Sequence, residues 1–441
     1  MRHNPQEEHV GISRPVVQCA SLVVAAASTA VFSQDSGMQI YGTLNVDFES
    51  VEARGATAAA TLPDGFLGIN PTGVNVPMRN RVTQNSSNLG FRGTERITPD
   101  LAAFFQIESG VAVDAGGSSI ASRNTAIGLS SPKWGSIRMG QWDTPYKSIS
   151  GAVDPMYFTG ITYTGALIGT PGFGVGPVTI GAPGTSGDGR TFANVANASY
   201  ERRQGNIVEY WSPTLADVAV RVAYSANESR TSNSASVTQV NPYIVSGSLE
   251  YGPGPLYFAY AYEGHYDYFG LDALVPAAQA TPVAAVGGST SASARDQGQK
   301  FVGRVTVGGT QLGVLAEKLR YTKSQSNAAP GAFNRYERQA VSLTLVQKLS
   351  AQGTLRALMG KAQSGTCGRF DGSACNTSGL GARQVSVGYS ETLSRRTDLY
   401  AFYTMVSNDS RGSYQFANAA GIGAAPGSSS IGYVLGIRHI F

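Results

Sequence analysis

The chain ends on Ser430-Ile-Gly-Tyr-Val-Leu-Gly-Ile-Arg-His-Ile-Phe441. Taken at every second residue, one face reads Ile431, Tyr433, Leu435, Ile437, His439, Phe441. The other reads Gly432, Val434, Gly436, Arg438, Ile440. A period of two places successive side chains on opposite sides of a strand. The first face is apolar with aromatic positions near both ends, and the second is small or mixed with one Arg in the middle. The chain stops on the aromatic residue with no polar tail. An apolar outside, a mixed inside and aromatics at the rims are the pattern of a strand in a membrane β-barrel. A buried closing strand of a soluble sandwich shares the alternation, so the rest of the chain has to decide between them.

With 441 residues the chain is long enough for two or three ordinary domains or one large one. Hydrophobic residues make up only 42%, too few for a bundle of membrane helices. A barrel escapes that objection because each lipid-facing residue alternates with a lumen-facing one. A net charge of +4 is too small to point to nucleic acid. One apolar run, 16–32, follows Arg2 and Arg14 and reads as a secretory signal peptide cut near Ser33. Residues 1–33 are then the leader and 34–441 the mature chain. Cys19 has no lipobox-like sequence in front of it. Two cysteines remain, Cys367 and Cys375, in a Gly-rich segment that lets its ends meet. An exported protein meets an oxidising compartment, so the pair is expected to form a disulfide. No His lies close enough to complete a zinc site, and no other cofactor or metal is expected.

Alternation recurs along the mature chain at 40–48, 87–93, 102–109, 123–129, 136–141, 206–212, 217–225, 242–251, 256–266, 300–307, 311–321, 337–346, 353–363, 383–393, 397–406 and 430–441. These segments predict sixteen strands, an even number, with short turns and longer loops in alternation. Spread over 34–441, that is about 25 residues per strand and connection, room for a spanning strand of about 9–11 residues, a turn and a loop. Two stretches read as long loops, 53–80 and 142–197. Along 311–321 the register is ambiguous, because Leu315 and Leu319 compete with Leu312 and Val314 for the outer face.

Several segments resemble one family. Gln39-Ile-Tyr-Gly-Thr-Leu-Asn-Val-Asp, Asn88-Leu-Gly-Phe-Arg-Gly-Thr-Glu, Phe105-Gln-Ile-Glu, Asn124-Thr-Ala-Ile-Gly-Leu-Ser-Ser and Gly140-Gln-Trp-Asp-Thr-Pro-Tyr look like general porins of Gram-negative bacteria, of the β-proteobacterial type. Asp398-Leu-Tyr-Ala-Phe-Tyr and the terminal Gly-Ile-Arg-His-Ile-Phe extend the likeness over the whole mature chain. The resemblance implies an outer-membrane homotrimer of sixteen-stranded barrels bathed in lipid, with the third loop folded into each lumen. It also implies that Phe441 is the outer-membrane sorting signal. The Gly-rich segment 165–189 makes this third loop longer than the family pattern.

No catalytic constellation is present. Mature His residues are only His265 and His439, no G-x-S-x-G occurs, and the two Gly-rich runs at 172–177 and 421–426 fail G-x-G-x-x-G at its last position. The chain is therefore expected to be a passive channel for ions and small hydrophilic solutes rather than an enzyme. The alternative is a barrel that works through its surface loops, as an adhesin or an outer-membrane enzyme. Charged rings set which ions pass a narrow pore. Arg92, Arg123, Arg138, Arg221 and Arg304 fall on inward registers, and Asp143 and Asp154 fall at the front of the third loop. A basic wall facing an acidic loop, with more Arg than Asp, is expected to lean towards anions.

Overall fold

The computed structural model describes residues 37–156, 158–174, 178–180, 195–226, 240–275, 292–326, 328–416 and 422–441. The leader expected at 1–33 and most of the Gly-rich part of the third loop lie outside them. Sixteen antiparallel strands close into a barrel. In chain order they are β1 (Met38–Arg54), β2 (Val76–Gln84, resuming as Asn88–Thr98), β3 (Leu101–Val111), β4 (Thr125–Ser131), β5 (Gly135–Asp143), β6 (Arg202–Trp211), β7 (Val218–Ala226) and β8 (Tyr243–Tyr251). There follow β9 (Leu256–Tyr266), β10 (Ala292–Val307), β11 (Thr310–Gln325), β12 (Phe333–Lys348), β13 (Gly353–Ala362, resuming as Thr366–Arg369), β14 (Ala382–Ser394), β15 (Thr397–Asn408) and β16 (Ser429–Ile440). The last strand pairs with the first from Thr43↔Ile440 to Arg54↔Ser429, which leaves no open sheet edge.

The polarity of the barrel is inverted relative to a soluble domain. On β1, Phe48 is 51% exposed while its neighbours Asp47 and Glu49 are 2% and 0% exposed. On β16 the exposed face is Tyr433, Leu435, Ile437 and His439, the register read from the sequence. Strands with apolar residues outside and carboxylates inside belong in a membrane.

The first long connection is shorter than the sequence suggested. β1 runs on to Arg54, and Val76–Gln84 pairs with it from Val46↔Gln84. Pro77 and the polar Arg79, Asn80 and Arg81 hide this strand in the sequence. Its alternation is nevertheless intact, with Met78 and Val82 exposed outside and Arg81 bonded inward to Glu49 at 2.6 Å. β2 breaks at Asn85, whose side chain bonds Asp47 and accepts from the Gly160 amide of the third loop.

Register along β11 resolves the ambiguity at its leucines. Leu312 is exposed to lipid, whereas Leu315 and Leu319 point into the lumen and are fully buried. The lumen is dry on that side because the third loop packs there. Loops at the opposite end from the short turns knit together: Leu67 donates to the Asn376 carbonyl at 3.0 Å, and the Arg411 guanidinium lies 3.9 Å from the Phe66 ring centre. Cys367 and Cys375 are joined by a disulfide in the loop that carries Asn376.

Candidate functional site

The third loop, 144–201, starts as a short helix, Pro145–Ser148. Pro145 at its first turn lacks an N–H that would go unpaired there, and the Thr144 hydroxyl accepts from the Lys147 amide. The loop then follows the inner wall. The Tyr146 amide donates to Ser246 on β8, the Arg304 guanidinium of β10 donates to the Ala152 carbonyl, and Thr344 of β12 donates to the Val153 carbonyl. Arg356 of β13 reaches the Pro155 carbonyl, Gln384 of β14 the Thr162 and Tyr163 carbonyls, and Asn45 of β1 the Phe158 carbonyl. Between these anchors Ile149, Val153, Met156, Ile161, Leu167 and Ile168 are buried against the wall.

Two buried ion clusters hold the loop on the β10–β12 side. Glu317 accepts from the Tyr146 hydroxyl at 2.8 Å, from the Gly169 amide and from Arg338 at 3.0 Å. Arg338 also donates to the Leu167 and Thr170 carbonyls. Lys300 donates to Glu201 at 2.6 Å, to Ser150 at 2.8 Å and to the Tyr146 carbonyl.

On β1–β5 the inward groups bond one another instead. Arg92 is exposed, donates to Gln39 at 2.9 Å and lies 4.9 Å from the Tyr41 ring centre. The Tyr41 hydroxyl donates to Glu108, and Arg123 pairs with Glu108 at 2.5 Å. Asp143 ends β5, where it pairs with Lys147 at 2.9 Å and with Arg203 at 3.2 Å and accepts from Asn124. It therefore stands on the wall beside the basic residues. Arg138 is only 6% exposed; it stacks between Trp211 and Trp142, at 3.7 and 4.5 Å, with Glu209 at 3.9 Å. Arg221 pairs with Glu250 at 3.0 Å and lies 4.3 Å from the Trp211 ring centre. Asp154 turns into its own loop, accepting from the Met156 amide, the Thr164 amide and the Thr164 hydroxyl. Burial pushes its carboxyl above the usual range against the pull of those donors.

Arg92 and Arg123 are thus brought together on one arc, joined by Arg203 and Asp143. Arg138 and Arg221 share Trp211 further round, and Arg304 lies under the third loop. Several inward arginines escaped the sequence reading, among them Arg81, Arg203 and Arg338, and also Arg356 and Arg438, which stack on Phe158 at 4.7 and 4.2 Å. Arg438 pairs with Asp398 at 2.7 Å. Its signal was present, since it occupies the mixed face of the terminal strand.

A family model for Gram-negative porins matches residues 20–411. The chain belongs to the Gram-negative porin family. This porin is 28% identical over 189 residues to an outer membrane porin protein of Bordetella pertussis, a match that spans 41% of this chain and 42% of that relative. Among solved structures it resembles an anion-selective porin from Comamonas acidovorans, with a TM-score of 0.62 and 18% identity over 92% of this chain and all of that one. It also resembles OmpT of Vibrio cholerae in its trimer form (TM-score 0.54, 14% identity, 92% of this chain and 99% of that one). Identities this low speak for the fold. The porin's place is the outer membrane, with its short turns on the periplasmic side and its long loops outside.

Proposed function

We propose that this porin is a passive diffusion channel for ions and small hydrophilic solutes, leaning towards anions, and that it works as a homotrimer without catalytic activity. The observation that carries the reading is the basic arc on β1–β6 to which the described part of the third loop makes few bonds. There Arg92 is exposed in the lumen, and Arg123 and Arg203 stand near it with Glu108 and Asp143 as the facing carboxylates. Among the described residues Arg138, Arg221, Arg304, Arg356 and Arg438 share Glu209, Glu250 and Asp398 as ion-pair partners, while the inward carboxylates Glu49, Asp272 and Glu317 are matched by Arg81, Lys323 and Arg338. Charges fixed in a narrow low-dielectric passage bias the local ion population, and salt weakens the bias within a Debye length of about 8 Å at physiological ionic strength. The anion-selective character of the Comamonas porin is in keeping with this reading.

The test is a planar bilayer with a salt gradient. The unmodified porin is expected to show discrete conductance steps and a reversal potential on the anion side. Arg92→Glu with Arg123→Glu should move the reversal potential towards cations, most at low salt. Absence of steps would remove the channel reading. An unmoved reversal potential would remove this arc from the permeation path.

A further inference from the structure

The Gly-rich extension of the third loop does not stay on the lumen wall. From Tyr146 to Leu167 the loop is pinned to strands, but its next described residues, 169–174, run from the wall to the outer loops. The wall end of this run is held by Glu317, which accepts from the Gly169 amide, and by Arg338, which donates to the Leu167 and Thr170 carbonyls. The outer end is spliced into the eighth outer loop, 409–428. The Ser413 amide donates to the Gly172 carbonyl at 2.8 Å, and the Gly174 amide donates to the Ser413 carbonyl at 3.0 Å. Gln415 Nε2 donates to the Gly174 carbonyl, also at 3.0 Å.

Two buried rings lock the splice. The Tyr414 ring lies against Gly172, whose φ of +83° and missing Cβ let the backbone pass; an added Cβ would overlap the ring. The Arg338 guanidinium lies 5.9 Å from the centre of the same ring, so one side chain of the eighth loop meets both ends of the run. Asn408 at the end of β15 accepts from the Tyr414 amide and donates to its carbonyl, both at 2.8 Å, which ties this residue to the barrel. Phe173 stands edge-on to Tyr336 at 5.8 Å, and Phe173 and Leu380 both close on Gly68 of the first outer loop. Leu67, Phe416 and Ile422 are buried in the same apolar cluster, which forms a cap at the outer mouth.

We infer that this cap positions the third loop, and that Ser413 and Tyr414 are positioning residues for the passage although both are buried in the outer loops. The inference rests on the channel reading. Coupling between distant places is carried by packed side chains and hydrogen-bond networks. Here the network is continuous: Tyr414 lies over Arg338, Arg338 pairs with Glu317 at 3.0 Å, and Glu317 accepts from Tyr146 in the first helix of the third loop at 2.8 Å. Opening the splice removes the cover from Arg338 and frees the outer end of the run. The anchors from Arg304, Thr344 and Arg356 remain, so the third loop stays in the lumen but moves over a wider range.

The experiment is single-channel recording in planar bilayers from assembled porin carrying Gly172→Val, Tyr414→Ala or both. Gly172→Val drives a branched side chain into the Tyr414 ring, and Tyr414→Ala removes the ring. Each is expected to shift conductance upwards and to increase open-channel noise, with the reversal potential unmoved because the arginine arc on β1–β6 is untouched. Both variants open one joint, so the double variant should shift conductance no further than the larger single shift. Heat-modifiable mobility should match the unmodified porin. If Gly172→Val or Tyr414→Ala does not assemble, Gln415→Ala, which removes one bond of the splice, should give a smaller shift of the same sign. Unchanged conductance in assembled Tyr414→Ala or Gln415→Ala porin would show that cap and passage are independent, and overturns the inference. So does a double variant whose shift is the sum of the two single shifts. Absence of conductance steps in the unmodified porin is a separate failure: it removes the channel reading, and this inference with it.

Discussion

Asp154 lies on the third loop but directs both carboxylate oxygens at the loop's own backbone and at Thr164. Removing the acceptor leaves two amides and a hydroxyl without a partner in a buried place, at a cost of about 1–3 kcal/mol each way the loop fails to adapt. Asp154→Ala is therefore expected to loosen the loop's apex, seen as noisier open-channel current, with no change in reversal potential. A reversal potential that moved as far as in the Arg92/Arg123 variant would put Asp154 in the field of the pore. Burial raises this carboxyl, so its contribution to the loop is fully present below the ordinary Asp range and is lost as the pH rises through the raised value. Current should grow quieter as the pH falls, and Asp154→Asn should abolish that dependence. The sequence placed Asp154 correctly in the third loop. It gave no sign of Thr164 as its partner, because that contact depends on how the loop folds back on itself.

The third loop is held by charges that belong to strands. Glu317 sits between Leu315 and Leu319 on the inward face of β11, and Arg338 faces it from β12. Both are buried, and both bond the loop. Breaking a buried pair leaves one uncompensated charge, which costs about 3–5 kcal/mol. Glu317→Ala should lower the porin's resistance to thermal unfolding in detergent and raise conductance as the loop leaves the wall, while Glu317→Gln, which still accepts from Gly169, should do less of both. Conductance unchanged in the Ala variant would mean that the loop is held elsewhere. The outer loops obey a similar logic. The Cys367–Cys375 loop presents Asn376 to Leu67 and Gly65 by backbone bonds of 3.0 and 2.5 Å. Cys367→Ser with Cys375→Ser should free the first outer loop, read as faster proteolysis within 55–75, with the barrel's thermal unfolding little changed; equal proteolysis would show that the first loop does not depend on the disulfide. Sequence pattern revealed the strands because alternation is a local property. It did not reveal which half of the lumen is dry, since Leu315 and Leu319 look like lipid-facing residues until the third loop is seen to cover them.

At the scale of the barrel, closure is a seam between residues some 400 positions apart in the chain, and the sequence marks only one side of it. Each of the sixteen strands was legible at least in part from period two, and the inward facing of Arg92, Arg138, Arg221 and Arg304 from the same register, whereas Arg123, expected on β4, lies just before its first residue. Strand β2 was half hidden because polar residues and Pro77 mask a strand whose inward face bonds carboxylates. The seam itself is concentrated where the chain ends. Gly42 and Phe441 exchange backbone bonds, 3.2 Å from the Gly42 amide to the Phe441 carbonyl and 3.1 Å in return. The Phe441 ring lies over Gly42, where an added Cβ would come within 2.5 Å of the ring and 2.6 Å of the Asn88 carbonyl oxygen. The ring thus covers the one point on β1 that has no side chain, next to the junction of β1 with β2. Phe441 is 42% exposed, so losing it removes the part of the ring that covers Gly42 at the closing ladder, and filling its place with a side chain forces the ladder apart. Phe441→Ala and Gly42→Val should therefore both impair formation of the heat-modifiable barrel, though by different routes. If Phe441 acts only as the sorting signal that the family resemblance implies, Phe441→Ala should fail in cells but refold normally from urea into detergent, whereas Gly42→Val should fail in both. If the ring also holds the seam, Phe441→Ala should refold in detergent to a barrel that opens at lower temperature than the unmodified porin. We expect the second outcome, and a refolded Phe441→Ala barrel of undiminished thermal stability would restrict the residue to sorting.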